Sequence, residues 1–496
     1  MKELKIGLAK VNITPPAKSV CLAGLDFYRP SEGVESELYA NAVAIEGKEQ
    51  LIICACDLVG ISKELYLETL RNVREKNSEI DLNKISVSAT HSHTAPRISS
   101  ASTPLIAAAL PGSKSTYADA LPEGYTYKDD NEYDPEVWMG DRTVPYMAEK
   151  IAECIVLAWQ KRAKGYYSPA FGRCAIGHSR RTFYKDGKVI NYGVTNSVNF
   201  DALQGGNDSG VELIYFFNED KNPIGAVANV ACPSQSMERK NYICSDFWGK
   251  TRDFLEKDLG EDFVLVGLCS AAGDQAPRDL IRLQRPNYLV KPPLEILPRR
   301  GDPEIYTVES CTDIGERLSI EIMRVLKKAE KNLLDKAVVR YEKKTLSLPG
   351  ITIDNDAYSE ALKTVREYLE KLGKKEINNK EIEAIKIPLT RINRYKDQEY
   401  HRLHDVEIHI MRLGDIAFVT NPFELFLDYG NRIKTRSHAT QTFIIQLAND
   451  TMGYLPTKVA YETGGYGVDI GCKVEPLGGE ILTESTIAAI AEIMQE

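Results

Sequence analysis

The stretch from residue 86 to 96 constrains this chain most, because an apolar, strand-like run ends there in two histidines, His91 and His93. Ile85 and Val87 alternate with polar residues before the pair, and a proline closes the segment, as expected where a strand runs into a loop. In extended backbone, residues two apart point to the same side, so both imidazoles can reach one ion beyond the strand's end. The pair is therefore either half of a metal site or two loop histidines bonded to carbonyls or water.

Similar apolar runs alternate with helix-like periodicity along the 496 residues. Strands are predicted at 40–45, 50–56, 85–89, 211–217, 224–232, 263–269, 407–411, 416–420 and 442–448, and helices at about 63–76, 144–162 and 313–334. This pattern predicts an α/β fold with mixed β-sheets flanked by helices. No linker rich in proline or serine divides the chain, so we expect a single domain over 1–496.

Two segments interrupt this pattern. A charged stretch near 356–386 has helical periodicity and predicts a helical insertion whose charges form a solvated face. The polar stretch 97–143, with its prolines, glycines and tyrosines, leaves directly from the histidine pair. Long loops of this kind are often functional, so this segment is either a lid or a plain surface excursion.

Composition argues against several classes of function. The formal net charge of −9 disfavours nucleic acid and anionic membrane surfaces as partners. The N-terminus lacks the apolar core of a secretory signal and no run of about 18 apolar residues occurs, so we expect a cytoplasmic protein without stable membrane insertion. Ten cysteines, several of them within apolar runs, predict reduced and mostly buried thiols. The expected partner is a small-molecule substrate, and the oligomeric state stays open.

Two strands in the middle of the chain also end in residues capable of chemistry. The apolar run that ends at residue 231 is followed by Cys232 and then by Pro-Ser-Gln-Ser. A thiolate is a good zinc ligand, although a cysteine at a strand end is more often buried packing. The run ending at Cys269 leads to a loop of small residues with Gly273 and Asp274. That loop suits close approach by a ligand, or it is a simple turn capped by Asp274.

The C-terminal part of the chain offers two further candidates. After the strand at 416–420, Asn421 and Pro422 can start a helix, with Glu424 as the capping-box partner. This structural explanation competes with a ligand role for Glu424. Further on, Tyr454 and Tyr466 lie in loops, the second between glycines that permit close backbone approach. No P-loop, dinucleotide-binding fingerprint or nucleophile elbow occurs, which disfavours phosphate and nicotinamide chemistry.

Taken together and in this order, these segments resemble the neutral/alkaline ceramidase family, zinc-dependent amidases that hydrolyse an N-acyl bond. The resemblance begins at Ile6-Gly7 and Ile13-Thr14-Pro15-Pro16 and includes Thr90-His91-Ser92-His93-Thr94-Ala95-Pro96, the family's most specific motif. It implies a divergent member with the fold of the family's N-terminal catalytic domain. It also implies that the C-terminal immunoglobulin-like domain is absent.

The resemblance assigns the zinc ligands residue by residue. His91 and His93 would bind zinc, as would Glu424 in Asn-Pro-Phe-Glu and Tyr454. Cys232 stands where the family has a third ligand histidine, and a thiolate there would add a second negative charge beside the glutamate. His178 is the alternative to Cys232.

The resemblance also implies residues that act on the substrate. Tyr466 would stabilise the oxyanion, Arg180 would lie in the substrate site, and Asp274 would orient the water or support a ligand. Ala276 stands where the family's Gly-Asp-x-Ser-Pro loop has its essential serine. Because alanine can neither attack nor donate a hydrogen bond, ceramide is not the expected substrate.

These expectations combine into a zinc-dependent hydrolase in which a metal-activated water attacks an amide or ester carbonyl of a polar substrate. A polar substrate is favoured by the abundant tyrosines and by Arg278 and Arg282 near the expected cleft. Two alternatives remain open. One is a metal-dependent lyase or isomerase acting on a carbohydrate-like substrate, and the other is a binding protein of the same fold that has lost turnover.

Overall fold

The computed structural model describes residues 2–25, 27–99, 116–283 and 306–495. Its α-helices are α1 (Lys63–Lys76), α2 (Gly140–Gln160), α3 (Asp246–Leu259), α4 (Leu280–Leu283), α5 (Val308–Ala329), α6 (Asn355–Leu372), α7 (Asn379–Asp397), α8 (Leu427–Arg436), α9 (Lys458–Thr463) and α10 (Pro476–Gln495). Short 3₁₀ turns occur at Leu82–Lys84 and Ala118–Ala120.

Three mixed β-sheets form the centre of the described structure. In spatial order, the N-terminal sheet contains Ile85–Ala89, Gln50–Cys56, Tyr39–Glu46, Lys5–Asn12 and Ala163–Lys164; the middle sheet contains Val264–Cys269, Pro223–Val230, Gly210–Phe217 and Tyr166–Arg173; the C-terminal sheet contains Val339–Pro349, Leu403–Leu413, Ile416–Thr420 and Gln441–Ile445. The α/β prediction with mixed sheets flanked by helices is therefore confirmed.

Shorter strands pair outside these sheets. They are Lys2–Glu3 with Lys336–Ala337, Gly33–Val34 with Tyr242–Ile243, Thr126–Tyr127 with Glu376–Ile377, His178–Ser179 with Gln275–Ala276, Arg181–Tyr184 with both Val189–Asn191 and Phe200–Leu203, and Glu424–Leu425 with Tyr454–Leu455. Several of these pairs join segments that are distant in sequence.

Each of the three sheets has a parallel pair of strands at one edge. The pairs are Gln50–Cys56 with Ile85–Ala89, Pro223–Val230 with Val264–Cys269, and Ile416–Thr420 with Gln441–Ile445. The carboxyl ends of two parallel strands meet at the same edge, where open α/β sheets commonly bind ligands. All of the strand-end motifs identified in the sequence follow these three pairs.

One apolar cluster joins the three sheets. It includes Val43, Ile53, Val227, Val266 and Phe418, which come from all three sheets and are at most 1% exposed. The outer faces are covered by helices: α1 and α2 on the N-terminal sheet, α3 and α5 on the middle one, and α8 and α10 on the C-terminal one. Strands buried on both faces explain the nearly continuous apolar runs of the sequence.

The charged segment near 356–386 forms two helices, α6 and α7, which extend further than predicted, to Asp397. They share an apolar cluster of their own, which contains Val365, Leu369 and Leu389. Tyr117 and Ala120, from the polar stretch 97–143, pack into the same cluster. Residues 100–115 of that stretch lie outside the described residues, so the lid remains a prediction.

All ten cysteines are free thiols, and nine of them are buried. Among the described residues, no helix combines the length and the apolar composition that crossing a membrane requires.

Candidate active site

The histidine pair lies in the loop that follows Ile85–Ala89, not in extended backbone as predicted. His91 has a φ of 68°, a left-handed conformation that is uncommon for residues other than glycine. Its Nδ1 donates a hydrogen bond of 2.6 Å to the carbonyl of Val59. A carbonyl can only accept, so Nδ1 carries a proton, and Nε2 carries a lone pair in the neutral form of the ring. His93 Nε2 lies 3.2 Å from His91 Nε2, so the two imidazoles do converge.

Neighbouring segments hold this loop in place through backbone hydrogen bonds. The backbone N–H groups of Thr90 and Ser92 donate to the carbonyls of Cys56 and Leu58, both at 2.9 Å. Asn449 has a φ of 64°. Its side-chain Oδ1 accepts from the backbone N–H of Val87, and its backbone N–H donates to the carbonyl of Val87. The loop after the C-terminal sheet therefore holds the strand that precedes the histidine loop.

Glu424 contacts the histidine pair from the C-terminal sheet. Its Oε2 lies 3.2 Å from His91 Nε2, and its side chain is 15% exposed. Burial alone would raise the pKa of Glu424, but the charges of His91 and Arg180 and a hydrogen bond from Tyr454 outweigh it and lower the pKa. The carboxylate therefore stays ionised beside the imidazoles.

The helix start predicted at 421–424 is wrong. Helix α8 begins at Leu427, five residues after the predicted first helical residue, Pro422, with Phe426 before it and no side-chain cap. Instead, Glu424–Leu425 pairs in parallel with Tyr454–Leu455, and the N–H of Glu424 donates to the carbonyl of Gly453. Because strand pairing provides the backbone hydrogen bonds of this segment, the Glu424 carboxylate is not needed as a helix cap and can face the site.

Arg180, Tyr454 and Tyr466 form the adjoining wall. Arg180 donates from Nη2 to the Tyr454 hydroxyl at 3.1 Å and to the Gly273 carbonyl at 2.7 Å. The rings of Tyr454 and Tyr466 meet edge to face with centroids 5.6 Å apart. Burial would lower the pKa of Arg180, but the tyrosines and Glu424 raise it well above its ordinary value. Arg180 is therefore a permanent cation at the site.

A buried acid that sequence reasoning missed, Glu238, lies behind the second histidine. Its Oε2 is 3.3 Å from His93 Nδ1, a close contact without an aligned hydrogen bond. Its Oε1 accepts from the Tyr306 hydroxyl at 2.6 Å and from Arg278 Nη2 at 2.7 Å. Burial would raise the pKa of Glu238, but His93 and Arg278 lower it far below its ordinary value. Burial lowers the pKa of His93.

The segment after the middle sheet brings Gln235, and not Cys232, to the histidines. Gln235 Nε2 lies 2.9 Å from His93 Nε2. The Cys232 thiol lies in the apolar cluster of the middle sheet and donates to the carbonyl of Ile176 at 3.3 Å. Burial raises the pKa of this thiol well above its ordinary value, which disfavours the thiolate that zinc would bind. His178, the alternative ligand, pairs with Ala276 in a short strand.

The loop predicted to receive a ligand is instead packed against the backbone of the site. A Cβ on Gly273 would lie 2.3 Å from the Glu424 carbonyl oxygen, so only glycine fits there. Asp274 accepts from the N–H of Leu427, the first residue of α8, at 2.9 Å. Asp274 is not among the described residues that line the cavity. Its contacts support the loop whose Gly273 carbonyl accepts a hydrogen bond from Arg180.

A cavity of about 690 Å³ opens onto these residues. Its described lining comprises Gly24, Leu25, Phe27, His93, Arg180, Asn191, Tyr192, Gln235, Glu238, Asn379, Lys380, Glu383, Lys386, Tyr454 and Tyr466. Four of these side chains come from α7, so the charges of the insertion do more than form a solvated face. Arg282 was predicted to lie near the cleft, and its side chain lies outside what the structure describes.

The donor atoms fit a zinc ion in part. Tetrahedral ligand atoms at 2.0–2.2 Å from zinc lie about 3.3–3.6 Å apart. The separations of His91 Nε2 from His93 Nε2 and from Glu424 Oε2 are both 3.2 Å, close to that range. Among the described residues, however, no group of three or more His, Cys, Asp and Glu side chains is arranged so that it could hold a metal ion. Both Nδ1 atoms face oxygen atoms, an arrangement typical of metal-binding histidines.

Comparison with known proteins identifies the fold. No protein-family model matches this chain, and no curated protein matches it by sequence. The structure of a neutral ceramidase from Pseudomonas aeruginosa aligns with a TM-score of 0.68 and 16% identity, over 100% of this chain and 75% of the other. A ceramidase complexed with C2 aligns with a TM-score of 0.65 and 14% identity, over 100% and 76%. The chain therefore has a ceramidase-like α/β fold.

Proposed function

We propose that this protein is a metal-dependent hydrolase that cleaves an amide or ester bond of a polar substrate other than ceramide. Zinc would be held by His91, His93 and Glu424, beside Tyr454. The observation that carries this proposal is the position of His91 Nε2, which lies 3.2 Å from His93 Nε2 and 3.2 Å from an oxygen of the ionised Glu424, next to a cavity with a buried arginine. The ceramidase-like fold supports the reaction class.

The side chains of this protein can divide the work of hydrolysis. When bound, zinc would lower the pKa of a water to about 7 and polarise a carbonyl. Arg180 keeps its positive charge and offers a donor to an oxygen that becomes negative during attack. Tyr466 is 44% exposed at the cavity wall, where its hydroxyl can meet substrate.

Polar and charged groups in the cavity support a polar substrate. The cavity lining carries amide, phenol and charged groups, and few of its side chains are apolar. Ala276 is fully buried and pairs with His178, so no serine hydroxyl is available at that position. We expect Ala276→Ser to be unnecessary for native activity. If only this variant turns over substrate, the native chain is a degenerate enzyme.

Metal analysis of protein purified without added zinc tests the proposal. Wild type should retain zinc, and the His91→Ala/His93→Ala double variant should not. His438→Ala, which changes an exposed histidine, is the matched control and should retain zinc. Equal and negligible metal in wild type and the double variant would contradict the proposal. Bound metal without turnover of amides, esters or sugars would instead favour a binding protein.

A further inference from the structure

We propose that Gln235 is a ligand of the metal in this site, in the position that the family resemblance gave to Cys232. The inference rests on the proposed function, because it assigns a further ligand to the same ion. It adds a neutral amide oxygen to two imidazoles and one carboxylate.

The first observation is the environment of the Gln235 side chain. The residue is 1% exposed and lines the cavity beside His93. Its Oε1 is buried and has no hydrogen-bond partner within the described part of the chain. Leaving a buried carbonyl oxygen unsatisfied costs about 1–3 kcal/mol, so such atoms usually face a donor or a cation.

The second observation is the position of the amide. A half-turn of this planar group exchanges oxygen and nitrogen, which occupy nearly equivalent places. The atom now 2.9 Å from His93 Nε2 can therefore be the oxygen. A cation bound at that nitrogen would repel the NH₂ group and attract the carbonyl, so metal binding selects this orientation.

The donor atoms form a chain of close contacts. From Gln235 through His93 and His91 to Glu424, successive donor atoms are separated by 2.9, 3.2 and 3.2 Å. Ligand atoms at 2.0–2.2 Å from an ion lie about 2.8–3.1 Å apart in octahedral and about 3.3–3.6 Å apart in tetrahedral sites. All three separations are close to these ranges.

Cys232 does not compete for this position. Its thiol contacts the carbonyls of Ile176 and Pro233 at 3.3 and 3.6 Å and packs within the apolar cluster of the middle sheet. With Gln235 instead, Glu424 is the single anion among these four donors. The ion would keep more of its positive charge for acidifying water than beside a thiolate.

Zinc affinity, measured by competition with a chromophoric chelator, tests the assignment without reference to activity. Gln235→Ala should bind zinc at least tenfold more weakly than wild type, whereas Cys232→Ser, the matched control, should stay within twofold. Gln235→Glu, which keeps the shape and supplies an anionic oxygen, should bind more tightly than wild type. This variant decides the question if Gln235→Ala fails to fold.

Cobalt substitution supplies an independent spectroscopic readout. The wild-type Co²⁺ protein should show no sulfur-to-metal charge-transfer band, and its visible bands should change in Gln235→Ala. A charge-transfer band that disappears in Cys232→Ser, or an affinity that neither Gln235 variant changes, would overturn the assignment. Wild type that binds no metal would overturn the proposed function itself, whereas metal binding that is insensitive to Gln235 would overturn only this inference.

Discussion

Replacing Glu238 by glutamine should weaken zinc binding ten- to a hundredfold. The Glu238 carboxylate lies 3.3 Å behind His93 Nδ1 and is fixed by Tyr306 and Arg278 at 2.6 and 2.7 Å. A carboxylate in this position orients a metal-binding imidazole and increases its basicity. Its loss typically costs 10–100-fold in affinity, equivalent to about 1.4–2.8 kcal/mol. Glutamine keeps the shape but removes the charge.

The same substitution should also reduce the free energy of unfolding by about 1–3 kcal/mol, because Arg278 loses a buried ionised acceptor. Chelator competition measures the zinc affinity and urea denaturation measures the stability. Glu212→Gln is the matched control, since Glu212 is also 8% exposed and accepts from Gln441 at 2.8 Å, but it does not contact the histidines. It should lose stability and keep its zinc affinity. Zinc affinity of Glu238→Gln within twofold of wild type, while His91→Ala abolishes binding, would refute the reasoning.

Two further predictions concern a glycine that packs against the site and the pH dependence of stability. Gly273→Ala would place a Cβ 2.3 Å from the Glu424 carbonyl oxygen, and Gly267→Ala would place one 2.6 Å from the Trp248 ring. Both should lose about 1–3 kcal/mol of stability in denaturant titrations, but only Gly273→Ala should weaken zinc binding; equal zinc affinities would contradict this. Burial raises the pKa of Asp246 to about 6, above its ordinary 3.8, so the folded state holds this proton more tightly than the unfolded chain. Its stabilising contribution is fully present below about pH 4 and declines by about 3 kcal/mol as pH rises to about 6. Urea unfolding at pH 4 and 7 tests this. Between these two pH values, the free energy of unfolding of wild type should fall by this amount more than that of Asp246→Asn, and an equal change in both proteins would contradict the prediction.

The secondary structure was largely predictable because burial on one or both faces of a strand leaves a local pattern. The runs at 50–56, 85–89 and 416–420 coincide with strands of the structure, and α1 begins and ends as predicted. Helix α7 illustrates a limit of that approach. Its charges predicted a solvated face, yet Lys380, Glu383 and Lys386 line the cavity. Periodicity identifies the polar face of a helix, but it does not show whether that face contacts bulk water or lines a cavity.

Local rules failed where distant segments compete for the same backbone. Asn421, Pro422 and Glu424 satisfy the sequence rules for a helix start, but pairing of Glu424 with Tyr454 places the carboxylate beside His91. The left-handed backbone of His91 was equally hidden, because the N–H groups on either side of it, those of Thr90 and Ser92, bond to the carbonyls of Cys56 and Leu58 in a different segment.

By itself, the sequence determined the α/β class, the strand ends and the histidine pair, since each of these depends on neighbours within a few residues. Tertiary structure alone decided which side chains meet that pair. It directed Cys232 into an apolar cluster and brought Gln235 and Glu238 to His93. The reason is geometric: a short excursion after a strand can turn any of several residues inward, and only packing against the other two sheets selects one.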